Sequence, residues 1–213
     1  MSDSDSQAIP AATLVVMRDS PLGSPELLMV ERPRTMAFAA GAMVFPGGRI
    51  DEADWSDEAG LEDAARRAAI RETKEETGLA VGNDSLVPFA RWRPDNVRHR
   101  RFDTFFFLAA APLAHPPLRP QPSECERLLW VTAQAMLDMV GEGSASAIFP
   151  TIRNLERLAQ FASFAEAREH ALATPIEIIS PWIEEVDGER WLTIPSHLGY
   201  PVTRERLDTA LRA

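Results

Sequence analysis

The chain has 213 residues, a formal net charge of −10 and a pI near 4.9, and 45% of its residues are apolar. That length suits one large domain or a domain with an appendage, and 5 Trp with 10 Phe exclude the acidic disordered class. No stretch reaches the roughly 20 apolar residues of a membrane span, a single cysteine (Cys125) permits neither an internal disulfide nor a thiolate metal cage, and the acidity argues against bulk nucleic acid as a partner.

The Ser- and Asp-rich start lacks the basic n-region of a signal peptide, so a cytoplasmic setting is expected. Residues 1–10 read as a flexible tail. Thr13–Met17 and Glu26–Glu31 are short apolar runs around a turn-rich loop and predict an antiparallel hairpin. Ala42–Phe45 is a third strand candidate, stopped by Pro46-Gly47-Gly48. Residues 49–60 are acidic and polar, a loop. Leu61–Thr77 contains neither Gly nor Pro and is rich in Ala, Arg and Glu, which predicts a helix, with Gly78 placed to end it. Phe102–Ala111 predicts a central strand, the proline-rich stretch 115–122 a loop, Leu128–Val131 a strand and Ala133–Val140 a helix. Further on, 150–161 and 163–172 read as two helices. Ile176–Val186 and Glu189–Ile194 flank Asp187-Gly188 as a hairpin, and Thr203 is placed to cap a last helix running to Ala213. The expected division is a core over 11–145 and a C-terminal extension over 146–213 packed on it.

The most informative segment is Arg71-Glu72-Thr73-Lys74-Glu75-Glu76-Thr77-Gly78-Leu79. On a helix, Glu72, Glu75 and Glu76 fall within an arc of about 100° on one face. Carboxylates so crowded repel one another, and a divalent cation between them relieves the repulsion. Hard oxygen ligands suit Mg²⁺ or Mn²⁺. Arg71 lies beside Glu75 on the wheel and can orient a carboxylate, while Ala64, Ala65, Ala68 and Ala69 allow close packing of the same side. The competing reading is a solvated acidic face balanced by Arg66, Arg67 and Lys74. The Phe45-Pro46-Gly47-Gly48 corner shifts the balance, since glycines let backbone approach a metal or phosphate.

Gly48 to Leu79 resembles the Nudix box, G-x5-E-x7-R-E-U-x-E-E-x-G-U with U aliphatic. Gly48, Arg71, Glu72, Glu75, Glu76, Gly78 and Leu79 match. Counted back from Arg71, the first Glu of the pattern falls on Asp63, with Glu62 as its alternative. About nine residues are then inserted before the helix, where added loop length costs little, and Thr73 takes an aliphatic position. Glu31-Arg32, Gly41 and Phe45–Gly48 resemble the signature that precedes the box in coenzyme A diphosphatases, whose second arginine falls here on Ala37. The long insertion, the Arg101–Phe106 run and the C-terminal part look like the peroxisomal, mammalian-type branch of these enzymes and its bacterial relatives.

The resemblance implies an α/β fold, the Nudix α/β/α sandwich with a mixed sheet, here with a helical C-terminal extension. It implies Mg²⁺- or Mn²⁺-dependent hydrolysis of a diphosphate in a small nucleoside diphosphate derivative. Coenzyme A or acyl-CoA is the first expectation, ADP-ribose or a nucleoside-diphosphate sugar the second, and a non-catalytic ligand-binding module the alternative from another class. Glu72, Glu75 and Glu76 are the expected metal ligands, with the Gly48 carbonyl beside them and Arg71 as a supporting catalytic residue. A further glutamate is expected from a loop before an aromatic-bearing strand. Glu124 and Glu126 precede Trp130, with Glu124 at the favoured spacing, and either is equally readable as a surface carboxylate. Arg91, Arg93, Arg98, Arg100 and Arg101 form a cationic stripe that reads either as a phosphate grip or as partners for Asp95, Asp103 and the 51–58 loop. Arg32 is a second phosphate candidate, with Gly47 and Gly48 lining the substrate. Trp92 reads as a base-stacking surface or as core. His115, His170 and His197 show no ligand spacing, and Cys125 is expected to be inert. No membrane partner is expected, and a homodimer is compatible with the resemblance.

Overall fold

The computed structural model of the protein describes residues 8–21, 23–36, 39–56, 60–94 and 101–210. The chain opens on the expected hairpin, β1 (Ile9–Ser20) antiparallel to β2 (Gly23–Glu31), with Met17 opposite Leu27. β1 begins inside the segment expected as a tail. The reason is pairing: from Ile9 to Met17 it runs parallel to β6 (Phe102–Ala110) without a break.

β1 and β2 splay apart at one end, and residues 43–49 fill the fork. β3 (Met43–Val44) pairs with β2, and β4 (Gly47–Arg49) pairs with β1. The strand ends before Pro46 as expected, but Gly47 and Gly48 belong to a new strand rather than to a stop. The Pro46 carbonyl accepts from the Leu14 amide at 2.9 Å, and the chain changes partner there and continues. β7 (Arg127–Thr132) lies antiparallel along β2, β5 (Val87–Trp92) antiparallel along β6, and β8 (Ile178–Ile179) parallel to β5. The product is an eight-stranded mixed sheet. β5 was not among the expected strands, because Pro88 interrupts its pattern; the structure absorbs that proline at a register shift between Pro88 and Ala90.

Alternation along the strands feeds two cores. On one face Ala12, Leu14, Val16, Phe105 and Phe107 pack under α1 (Leu61–Thr77). On the other, Val15, Met17, Phe89, Trp92 and Phe106 pack with α2 (Ala133–Gly141), α3 (Phe149–Leu158) and α4 (Phe164–Ala173). This is the α/β/α layering that the Nudix resemblance implied. α1 has the expected bounds, for local reasons. Its four alanines at 64, 65, 68 and 69 are fully buried, so the helix sits close on the sheet. Gly78 ends it in the left-handed conformation at φ +75°, its amide donating to the Lys74 carbonyl at 2.9 Å.

The C-terminal third is less helical than expected. After α3 and α4 come β8 and a three-stranded antiparallel sheet of β9 (Trp182–Val186), β10 (Glu189–Thr193) and β11 (Arg204–Arg206). Asp187 and Gly188 form the β9–β10 turn, both at positive φ (53° and 79°), as a type I′ turn requires. The strand expected over 176–186 is divided at Pro181, which has no amide to donate, and Ile178–Ile179 joins the large sheet instead. Thr203 caps no helix. Its carbonyl accepts from the Ile194 amide at 2.8 Å, so 204–206 continue a ladder with β10, and only α5 (Leu207–Ala210) follows.

Candidate active site

The carboxylates of Glu72, Glu76 and Glu124 converge, each offering an oxygen within 4.8 Å of the others. Two come from consecutive turns of α1. The third arrives on the loop before β7, and the end of α1 itself places it. The last carbonyls of a helix lack intrahelical partners. Here the Arg119 amide donates to the Thr77 carbonyl (2.9 Å) and the Gln121 amide to the Glu76 carbonyl (3.1 Å), docking the proline-rich loop on the helix end. The Glu124 and Cys125 amides then turn back to the Gln121 carbonyl, and the Glu126 amide donates to Glu31 at 2.8 Å.

The glycine corner closes the site from the sheet side. The Gly47 amide donates to Glu76 Oε2 at 2.9 Å. A Cβ on Gly48 would run into the Glu72 carboxylate, and one on Gly47 into the backbone of Ala12 and Thr13. Only glycine lets β4 and α1 approach this closely. Glu76 is 3% exposed, and burial, opposed by the Gly47 amide and Arg32 and reinforced by Glu72 and Glu124, pushes its pKa up to about 8. Burial also raises Glu72, against the pull of Arg71. Three converging hard oxygen donors, two of them on groups whose burial disfavours the charge, form a fitting seat for a small divalent cation.

Arg71 is the hub of the second layer. Its Nη1 donates to Glu72 Oε1 (2.9 Å) and Glu75 Oε2 (3.0 Å), and its Nη2 to the Arg49 carbonyl (3.0 Å). Its other edge forms a fork on Asp54, Nε to Oδ1 at 3.1 Å and Nη2 to Oδ2 at 2.8 Å. Asp54 sits in a 3₁₀ turn, Glu52–Asp54, inside the expected loop, and accepts from the Asp51 amide at 2.9 Å. Burial works against its charge, but the Arg71 fork, the Asp51 amide and Arg67 outweigh it and hold its carboxyl below the usual range.

Asp54 corrects the register expected for the first acid of the box. Asp63 is exposed and Glu62 pairs with Arg66 at 2.9 Å, so neither serves Arg71. Asp54 stands six residues after Gly48, the spacing of the pattern counted forward rather than backward. The insertion lies between Asp54 and Arg71.

The other expected site residues divide. Arg32 lies near enough to Glu76 for its charge to oppose part of the effect of burial. Glu75 lies outside the three-carboxylate group, its side chain 52% exposed and paired with Arg71. Glu126 is exposed and also outside it. Arg91 is not brought to the carboxylates. Both its prongs hold Asp103 at 2.8 Å, its guanidinium stacks over Phe105, and three strand spacings, about 14 Å, separate its register position from Gly48. The Arg93 amide ties β5 to Ile179 and the Arg101 carbonyl accepts from Ile9. Asp95, Arg98, His99, Arg100 and Ala37 lie outside the described residues. Trp92 is core, its indole N–H donating to the Tyr200 hydroxyl at 3.2 Å. Cys125 is buried, and burial and Glu76 push its thiol up to about 11.

This constellation, a glycine corner and a carboxylate helix on an α/β/α sandwich, coincides with a match to the NUDIX domain family model over residues 8–150, and the chain belongs to that family. A Nudix hydrolase from Alicyclobacillus acidocaldarius superposes with a TM-score of 0.67 at 27% identity, covering 78% of this chain and 97% of that one. The NUDIX domain of Shewanella oneidensis NrtR, solved with ADP ribose, shares the fold at a TM-score of 0.51 and 19% identity, over 72% of this chain and 86% of that one. Among curated proteins, the peroxisomal coenzyme A diphosphatase ndx-8 of Caenorhabditis elegans is 28% identical over 133 residues. That match takes in 60% of this chain, which spans about half the length of the relative. Among the described residues no helix is long and apolar enough to cross a membrane.

Proposed function

We propose that the protein hydrolyses the diphosphate linkage of a nucleoside diphosphate derivative with Mg²⁺ or Mn²⁺, and that coenzyme A or an acyl-CoA is its substrate. The products are 3′,5′-ADP and (acyl-)phosphopantetheine. The observation that carries the reaction class is the convergence of Glu72, Glu76 and Glu124 within 4.8 Å. A binding module has no use for three carboxylates held against their own repulsion. The choice of coenzyme A rests on the likeness to a relative of that name and on Glu31-Arg32 and Phe45–Gly48 at the site.

Glu72, Glu76 and Glu124 would hold the cation, with Glu75 and the Gly48 carbonyl at its margin. When bound, such an ion neutralises charge on the diphosphate and acidifies coordinated water. The chain's own groups do the rest. Asp54 fixes Arg71, and Arg71 fixes the Glu72 and Glu75 carboxylates. Arg32 meets the negative charge of the diphosphate beside Glu76. Glu124, half-exposed and carried by a different element from the helix, takes the proton of the attacking water.

The test is incubation of the purified chain with coenzyme A, acetyl-CoA, ADP-ribose, NADH and diadenosine polyphosphates, with Mg²⁺ or Mn²⁺, and mass-spectrometric identification of products. Release of 3′,5′-ADP from coenzyme A is expected. Cleavage of ADP-ribose with coenzyme A untouched would overturn the substrate and keep the reaction class.

A further inference from the structure

A second, cationic recess lies across the sheet end from the carboxylates. β2 ends and β7 begins at the same level, with Glu31 opposite Arg127. Consecutive residues of an extended chain point to opposite faces. Arg32 acts on Glu76, on the α1 side, while Glu31 lines a cavity of ≈ 170 Å³ on the other side. Arg34, Gly41, Met43, Arg127 and residues 143–146 after α2 complete its walls. Arg127 follows Glu124 by three residues, so the recess and the carboxylate group share one loop and one strand end.

Its polar complement suits an anion. Arg127 Nε pairs with Glu31 Oε2 at 2.9 Å, which cancels the one acidic group lining the recess. Arg34 has no carboxylate partner among the described residues, and its stem lies along Gly41. The recess therefore carries a net positive charge, with the fork of Arg34 and the η nitrogens of Arg127 available. The hydroxyls of Ser144 and Ser146 donate to Met139 and Gly41 and keep acceptor lone pairs only, so the two guanidiniums supply the recognition. The volume holds several waters, enough for a phosphate group and too little for a base and sugar.

We propose that this recess binds a phosphate monoester on the nucleoside of the substrate, and so selects 3′-phosphorylated nucleoside diphosphate derivatives over unphosphorylated ones. The inference rests on the diphosphate-hydrolase reading above and narrows its substrate class. Coenzyme A carries such a phosphate; ADP-ribose and 3′-dephospho-coenzyme A do not.

The test compares kcat/KM for coenzyme A and 3′-dephospho-coenzyme A in the wild type and in Arg34→Ala, Arg34→Lys and Arg127→Ala. The wild type is expected to prefer coenzyme A by about tenfold or more, the worth of a charge-assisted contact. In Arg34→Ala the ratio falls to within about twofold of one, and Arg34→Lys recovers part of it. A wild-type ratio near one, or the same ratio in all variants, overturns the subsite and leaves the hydrolase reading intact. If neither compound turns over, calorimetric titration with 3′,5′-ADP and 5′-AMP decides. Tighter binding of the bisphosphate, lost in Arg34→Ala, upholds the subsite while the substrate reading fails; equal binding of the two overturns the subsite.

Discussion

The protein buries charge in two places, and it treats them in opposite ways. At the end of α1 three carboxylates crowd together, and a fourth acid, Asp54, holds the arginine that steadies them. Within α3, Arg157 is 1% exposed, with no carboxylate against it among the described residues. Its Nη1 donates to the Phe89 carbonyl at 2.8 Å, its Nε to His170 at 3.2 Å, and its plane lies over Phe89 and Tyr200. Tyr200 in turn donates to Asn154 and accepts from Trp92. The second cluster packs its cation between a carbonyl and two ring faces, leaves Arg157 Nη2 without a hydrogen-bond partner among the described residues, and joins α3 to β5. The first draws three acids together with no cation among them. Charge crowded against like charge is unbalanced and marks the part of the molecule built for a ligand; a lone cation offset by a carbonyl and ring faces marks the part built to hold.

The largest expected effect tests the unbalanced side. Glu76→Gln should lower kcat by about 10³-fold, as losses of electrostatic stabilisation at a reacting phosphate do. It should also raise the Tm of the metal-free protein by about 3 °C or more, because burial disfavours the charged form of Glu76, and it should abolish any Tm increase on adding Mg²⁺. Glu75→Gln should lower turnover as well, without the gain in Tm, since Glu75 is exposed. Near-normal rates in both variants would remove the metal assignment and with it the contrast.

The balanced side predicts a different outcome for removing charge. Arg157→Ala takes away the stacking on Phe89 and Tyr200 and strands the Phe89 carbonyl. It should cost about 2–4 kcal/mol in urea unfolding, while kcat per folded molecule stays near wild type. A stable variant with lost activity would mean that Arg157 belongs to the site and not to the scaffold.

How much of this contrast could be read from the sequence depends on the distance over which each part is specified. α1 was legible to its ends because composition, the four alanines and Gly78 are local signals. Glu72 and Glu76 were legible for the same reason. Glu124 was reachable only through the resemblance, since the loop docks on helix carbonyls more than forty residues back. Asp54 was displaced to Asp63 because an insertion has no address in a single sequence; counting from Gly48 instead of Arg71 places it. At 204–206 the local signal, Thr203 as a cap, points to helix, while the pairing with β10 that makes it a strand is a tertiary fact. For Arg91 the sequence leaves a phosphate grip and pairing with Asp103 open, and the β5–β6 pairing that joins the two residues decides for Asp103.

A smaller effect lies on the edge of the balanced region. Glu156 pairs with Arg153 through Oε1 at 2.9 Å, but its buried Oε2 has no partner among the described residues. Burial pushes its pKa up to about 7 despite Arg153. The folded state thus holds a proton that the unfolded chain releases near 4.5, so this group lowers stability as pH rises from about 4.5 to about 7. Glu156→Gln should stabilise the protein by about 1–2 kcal/mol at pH 8 and by nearly nothing at pH 4.5. A gain equal at both pH values would show that packing, not charge, sets the effect.

The smallest effect separates the two roles of an acid inside one site. Asp54 touches neither the three-carboxylate group nor the open side of it; it acts through Arg71. Asp54→Asn keeps the shape but loses one charge-assisted contact, so the Arg71 fork loosens and the Glu72 and Glu75 carboxylates lose their fixed directions. The expected result is a fall in kcat of about tenfold with little change in KM, and recovery of part of the loss at higher Mg²⁺. Asp54→Glu, which restores the charge on a longer stem, should recover more of the rate than Asp54→Asn retains. Asp63→Asn, at the position the backward count selects, should change nothing beyond the scatter of a surface substitution. If Asp63→Asn were the damaging variant, the register drawn from Gly48 would be wrong and the hub around Arg71 would have to be rebuilt on the helix itself.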